Sequence, residues 1–309
     1  MRLAVATLGV LMLLWVGVNV AVAWGATHPL QQAKLLGSAP VHRRTPAAVH
    51  LAYETVTYAP KRDAWWIAAP SPAASIVLIH GYDVVPDPKS ADPAPMLDLA
   101  VAFHDWGCNA LIINLGYATG VHAYSGGPLE ADDIAAAVHW LQTKDSRLPI
   151  VLWGFSDGGH SALLAVARHA PVAAVAADSA FVDANEVIRD QGAKFFHAPP
   201  VLLAPSILFV RLFAGAGPVD LAGAIPATGL SQPALLIQGA ADRAISTANL
   251  RRLAVLTKGR SVMIPGADHV GSYRMSPMVY LQVARDFLRR LSANKPPSPA
   301  KAGHGEHWG

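Results

Sequence analysis

Cysteine is almost missing: Cys108 is the only one in 309 residues. That excludes an internal disulfide and a multi-cysteine zinc site, and it leaves the redox compartment open. Cys108 follows Trp106-Gly107 at the mouth of an apolar segment, so it reads as a buried structural thiol. Charge is scarce as well. Charged residues make up 15% of the chain against 52% hydrophobic, which excludes a disordered polypeptide. The net charge is +3, but Lys and Arg form no dense block, so no nucleic-acid partner is expected. No internal repeat is visible. The length allows one large α/β domain or two small ones.

Charge is wholly absent from residues 3–24. As a helix at about 1.5 Å per residue this run spans roughly 33 Å, enough to cross a bilayer core. Residues 1–24 therefore read as a single-pass N-terminal transmembrane anchor. The rival is a secretory signal cut after Ala23, because Ala21-Val22-Ala23 has the A-x-A form. The run is longer than a usual signal core, which favours the anchor. A buried helix of a soluble protein is a third reading. Arg2 on one side is opposed by Lys34, Arg43 and Arg44 on the other, so charge says little about orientation. The reading taken puts the amino terminus inside and the rest of the chain outside the cytoplasm. Residues 25–49, with Pro29, Gly37, Pro40 and Pro46, read as a linker. Residues 293–309 read as a disordered tail, whose His304, Glu306 and His307 are taken as solvated rather than metal-binding.

From 50 to 292 short apolar runs alternate with helical spacing. Strands are expected at 51–58 and 64–68, paired antiparallel around Pro60-Lys61-Arg62-Asp63, and then at 75–79, 110–115, 150–153, 172–177, 234–238 and 261–264. Helices are expected at 96–106, 129–143, 161–169 and 277–291. A Pro/Asp-rich loop separates the third strand from its helix at 86–95. Alternation of this kind means an α/β fold with a mostly parallel sheet covered on both faces. Residues 185–229 break the rhythm with Phe195, Phe196, Phe209, Phe213 and several prolines. They read either as a small cap inserted over a site or as one ordinary crossover helix with long loops.

The chain is organised around Val151-Leu152-Trp153-Gly154-Phe155-Ser156-Asp157-Gly158-Gly159, an apolar strand that runs into Gly-x-Ser-x-Gly ahead of a helix. A serine at a sharp strand-to-helix turn leaves no room for neighbouring side chains, hence the flanking glycines. Such a turn lifts the hydroxyl above the sheet edge and aims the first helical N–H groups at developing negative charge. A serine needs a base, and the base needs a carboxylate to fix its tautomer. Asp242 follows the strand 234–238 in Gly239-Ala240-Ala241-Asp242, and His269 follows the strand 261–264 in Gly266-Ala267-Asp268-His269. The order Ser156, Asp242, His269 is one of the three chain orders in which a Ser-His-Asp triad recurs. Asp178, also at a strand end, is the rival acid; Asp268 and His160 read as structural. For the oxyanion, the N–H of Asp157 is one candidate donor. The N–H of Tyr82, in Ile79-His80-Gly81-Tyr82, is the other, with His80 read as a structural loop histidine.

These motifs together resemble the α/β-hydrolase family over about 51–290, and most closely its membrane-anchored, Bem46-like or serine-aminopeptidase-like branch. The resemblance implies an eight-stranded sheet, a Ser-His-Asp triad, and hydrolysis of an ester, thioester or amide without a cofactor or metal. One departure is that family members often carry an Asp and an Arg-Gly pair after the fourth strand, where this chain has Asn114-Leu115-Gly116-Tyr117. The expected function is that of a serine hydrolase acting through an acyl-enzyme on a small-molecule acyl substrate, lipid-like given the apolar cap and adjacent membrane. The alternatives are an acyltransferase with the same triad and a non-catalytic binding protein on the same fold.

Overall fold

The computed structural model describes residues 2–35, 44–82 and 95–293. The expected loop at 86–95 lies outside them except for Pro95. The expected disordered tail lies outside them too, apart from Ala293, which closes the last helix.

In chain order the elements are α1 (Arg2–Thr27), α2 (Pro29–Leu35), β1 (Glu54–Ala59), β2 (Arg62–Ile67), β3 (Ala74–Ile79), α3 (Met96–Asp105), β4 (Cys108–Ile113), α4 (Gly116–Thr119) and α5 (Pro128–Lys144). They continue as β5 (Ile150–Phe155), α6 (Asp157–Ala167), β6 (Ala174–Asp178), α7 (Ala184–Phe196), α8 (Ser206–Ala214), α9 (Leu221–Ala224), β7 (Ala234–Gly239), α10 (Ala248–Thr257), β8 (Arg260–Ile264), α11 (Ser272–Met275) and α12 (Pro277–Ala293). The eight strands form one sheet in the order β1-β2-β4-β3-β5-β6-β7-β8. β2 pairs antiparallel with both β1 and β4, and every other pair is parallel.

The inner strands are apolar along their whole length because both faces are covered. Alternate residues divide between two cores. Val77, Ile79, Leu152, Val175 and Leu236 face one cluster, which includes residues of α5 and α6. Ile76, Leu78, Trp153, Phe155 and Ile237 face the other, which includes residues of α3 and α12. The two edge strands are the polar ones. β8 leaves Arg260, Ser261 and Met263 exposed, and β1 leaves Glu54 and Thr55 exposed.

Strand ends shift by up to three residues from the sequence reading, and three larger differences stand out. The helix after β5 begins at Asp157, not at 161, because Gly158 and Gly159 are helical despite their low propensity. Tertiary contact imposes this, as shown below. The expected linker at 25–49 is helical over its first part. α1 continues through Gly25 to Thr27, and α2 follows after His28. The last carbonyls of α1 lack intrahelical partners, and the domain supplies them: Tyr82 Oη donates to Ala26 O at 3.0 Å, and the N–H of Tyr124 donates to Thr27 O at 2.8 Å. Finally, residues 185–229 are more than a single crossover helix. α7, a 3-10 turn at Pro200–Leu203, α8 and α9 lie between β6 and β7. Pro199 and Pro200 break the helix, and the arms Ala184–Phe196 and Pro200–Ala214 meet at 113°.

Candidate active site

Ser156 stands between β5 and α6 with φ 52° and ψ −116°, a left-handed backbone that a residue with a Cβ adopts only under constraint. The constraint is visible in its glycine neighbours. A Cβ on Gly154 would lie 2.3 Å from the carbonyl oxygen of Gly158, and one on Gly158 would lie 2.3 Å from that of His80. Gly81 is also close-packed, its missing Cβ falling 3.0 Å from Ser156 Cβ. Backbone therefore fills the space on both sides of the serine, and the 80–82 loop is pressed against it.

The structure brings Ser156, His269 and Asp242 together. His269 Nε2 lies 2.9 Å from Ser156 Oγ, and His269 Nδ1 lies 2.9 Å from Asp242 Oδ2. Asp242 is buried, and its other oxygen accepts the N–H groups of Ala244 and Ile245, each at 2.9 Å. Burial alone would raise the Asp242 pKa. The hydrogen bonds from His269 and these amides outweigh it and hold the carboxyl below its ordinary value. An ionised carboxylate only accepts, so Nδ1 of His269 carries the proton and Nε2 is left to accept from the Ser156 hydroxyl.

The other acid, Asp178, does not sit on this ring. It is buried, takes hydrogen bonds from Ser179 Oγ at 2.9 Å and Ser272 Oγ at 3.4 Å, and burial pushes its pKa up to about 6. Asp268 turns outward to Arg274, at 2.8 and 2.9 Å. His160 is fully buried, stacks on Phe181 and bonds Phe181 O at 3.0 Å; burial depresses it to about 4. Cys108 is a buried thiol whose pKa burial raises to about 11.

The loop carrying Tyr82 is held by side chains. Leu115 N–H donates to His80 Nε2 at 3.1 Å, so His80 Nδ1 donates to Gly81 O at 2.7 Å, and Tyr117 Oη donates to the same carbonyl at 2.9 Å. The rings of Tyr82, Tyr117 and Tyr124 cluster with centroids 4.9 to 5.8 Å apart. Tyr124 Oη donates to Asp157 Oδ1 at 2.7 Å. Burial and the neighbouring Glu130 raise the Asp157 carboxyl well above its ordinary range. Glu130 accepts from Ser125 N–H, Ser125 Oγ and Gly127 N–H, which favours the charge on Glu130 and the proton on Asp157. The backbone N–H of Asp157 is the first of α6 and has no acceptor within the helix. At the departure after β4, Gly116 N–H is bound by the buried Asp133 at 2.6 Å.

Ser156, Asp157, Tyr82 and His269 open on a pocket of about 940 Å³. α7 contributes Ile188, Phe195 and Phe196 to its wall. Phe209 and Phe213 do not line it; they stack on each other, and Phe213 meets His28 edge-on at 6.1 Å. The unforeseen contributors come from α1: Ala21, Val22, Trp24, Gly25 and Ala26. The small side chains of Ala21, Gly25 and Ala26, with the polar Asn19 and Thr27 in the second half of an apolar helix, were the sign available in the sequence. Among the described residues no group of three or more His, Cys, Asp or Glu side chains is arranged to hold a metal ion, and His304, Glu306 and His307 lie outside them.

Sheet order, strand sense and the strand-to-helix serine define the α/β-hydrolase fold. Solved structures agree. The chain is similar to the esterase Pf2001 of Pyrococcus furiosus, at 19% identity and a TM-score of 0.64 over 81% of this chain and 95% of that one. It is similar to a thermophilic esterase of Thermogutta terrifontis with butyrate bound, at 18% identity and a TM-score of 0.58 over 79% and 96%. It is also similar to a dienelactone hydrolase of Anabaena variabilis, at 20% identity and a TM-score of 0.51 over 78% and 97%. No protein-family model and no curated protein matches the sequence.

Proposed function

We propose that the chain is a serine hydrolase that cleaves a carboxylic ester of a lipid-like acyl group through an acyl-enzyme. The observation that carries this reading is the hydrogen-bonded relay Asp242–His269–Ser156, 2.9 Å at each link, ending on a serine held at positive φ. His269 Nε2 takes the proton of Ser156 as Oγ attacks the ester carbonyl, and Asp242 stabilises the imidazolium. The N–H groups of Asp157 and Tyr82 hold the oxyanion; a donor of this kind is worth about 3 kcal/mol. His269 then protonates the leaving alkoxide and activates water to clear the acyl group. The apolar wall of Val22, Phe181, Ile188, Phe195, Phe196 and Ile245 favours an alkyl chain over a charged or sugar-like one. Butyrate occupies the Thermogutta terrifontis esterase; the pocket of about 940 Å³ here is read as taking longer chains. α1 is read as a retained membrane anchor, in keeping with the membrane-anchored branch.

The test uses the full-length chain in detergent. A fluorophosphonate probe should label the wild type and not Ser156→Ala, and p-nitrophenyl esters should be hydrolysed faster as the acyl chain lengthens from acetate to octanoate. Equal labelling of Ser156→Ala sinks the nucleophile, and a flat chain-length profile sinks the lipid-like substrate. Transfer of the acyl group to an added alcohol in preference to water would mark an acyltransferase instead.

A further inference from the structure

α1 is long and apolar enough to cross a membrane, but it is not free along its length. Residues 4–15 are exposed. From Val16 onward the helix lies along the insertion. The indole Nε1 of Trp15 and the amide of the buried Asn19 both donate to Leu202 O, at 2.8 and 3.1 Å. Ala23 and Thr27 are buried, and a Cβ on Gly192 of α7 would meet Val22 Cγ1 at 2.8 Å. The uncovered part, 12 residues, is roughly 18 Å long. A bilayer core is roughly 30 Å thick. The missing length, roughly 10 Å, runs beside α8 and the Pro200–Leu203 turn.

That neighbouring surface is apolar and uncovered. Val201 is 75% exposed, Phe195 70%, Leu212 66% and Leu208 59%. Within 200–214 the single formal charge is Arg211, on a stem long enough to carry its guanidinium to headgroup level. The rim of the pocket above Ser156 belongs to the same surface, through Ala21 and Trp24 of α1 and Phe195 and Phe196 of α7.

We propose that α1 remains in the mature protein as a wall of the substrate pocket, and that its flank with α8 sits roughly 10 Å deep in a bilayer, so that the pocket takes its ester directly from the membrane. This rests on the ester-hydrolase reading for its substrate but not for its geometry. Cleavage after Ala23 would remove Ala21 and Val22 from the wall and open the α8 face. A helix crossing the bilayer any other way would have to peel away from Leu202.

The experiment uses the full-length chain in phosphatidylcholine vesicles. Leu208→Cys, labelled with an environment-sensitive dye, should be quenched by lipids brominated on their acyl chains. Met278→Cys on α12, across the sheet, should not be. Identical behaviour of the two sites overturns the proposal, as does a mature chain whose mass begins at Trp24. In a second arm, Leu208→Glu/Leu212→Glu should lower hydrolysis of a long-chain ester dissolved in the vesicles at least tenfold. Its rate on a water-soluble butyrate ester should stay within twofold of wild type. Loss of both rates together overturns membrane delivery. A wild type inactive on both esters overturns the hydrolase reading instead, while the dye measurement still decides the depth of insertion.

Discussion

Asp242→Asn is the substitution on which the proposed chemistry turns. One carboxylate oxygen of Asp242 accepts two backbone N–H groups at 2.9 Å, and the other faces His269 Nδ1. An asparagine keeps its oxygen toward the two amides. Turning it round would leave two N–H donors facing an NH2 group, and the buried one, that of Ile245, alone costs about 1–3 kcal/mol. The NH2 group therefore meets His269 Nδ1, which must become an acceptor. The ring proton moves to Nε2, and Ser156 loses its base. The same tautomer error in a serine-protease triad lowers kcat by about 10⁴-fold. The assay is kcat on p-nitrophenyl butyrate beside thermal unfolding, to show that the variant is folded. A folded Asp242→Asn protein within tenfold of wild-type kcat would refute the relay. Asp178→Asn, off the ring, serves as the comparison and should keep kcat within tenfold.

Ser156→Gly removes the Cβ from a residue at φ 52°, and it should unfold at a higher temperature than Ser156→Ala, by about 1 kcal/mol of stability, while both are inactive. Gly154→Ala puts a methyl group 2.3 Å from a backbone oxygen that cannot move without shifting α6; it should lose about 3 kcal/mol or more in urea denaturation, or fail to fold. His160 is depressed from 6.5 to about 4 by burial. The unfolded chain thus takes up a proton first as pH falls, so this contribution is complete above pH 6.5 and is lost between there and about 4. Its size is about 3 kcal/mol at most. Asp178, raised to about 6, acts in the opposite sense, losing its contribution as pH rises through about 4 to 6. Urea midpoints measured from pH 7 to 4 should therefore fall less steeply for His160→Asn than for wild type, and more steeply for Asp178→Asn.

The residues of the site and their order along the chain were legible because each signal is local. Ser156, Asp242 and His269 each follow an apolar run with small residues beside them, and a strand end is a short-range property. The sheet's alternation was legible for the same reason. Boundaries set by distant contact were not. Gly158 and Gly159 look like turn formers until the carbonyls of Gly154, Ile79 and His80 are seen against them. Gly25 looks like the start of a tether until Tyr82 and Tyr124 are seen to hold the end of α1. Hydropathy also could not show that a helix apolar enough for a bilayer spends half its length against its own domain, because apolar surface satisfies lipid and protein alike. Composition and spacing thus determined the fold class and put Ser156, Asp242 and His269 at the ends of strands. Only the tertiary structure decided which acid faces the histidine and which phenylalanines line the pocket, since both depend on contacts between segments far apart along the chain. It also decided that the N-terminal helix belongs to the pocket wall, for the same reason.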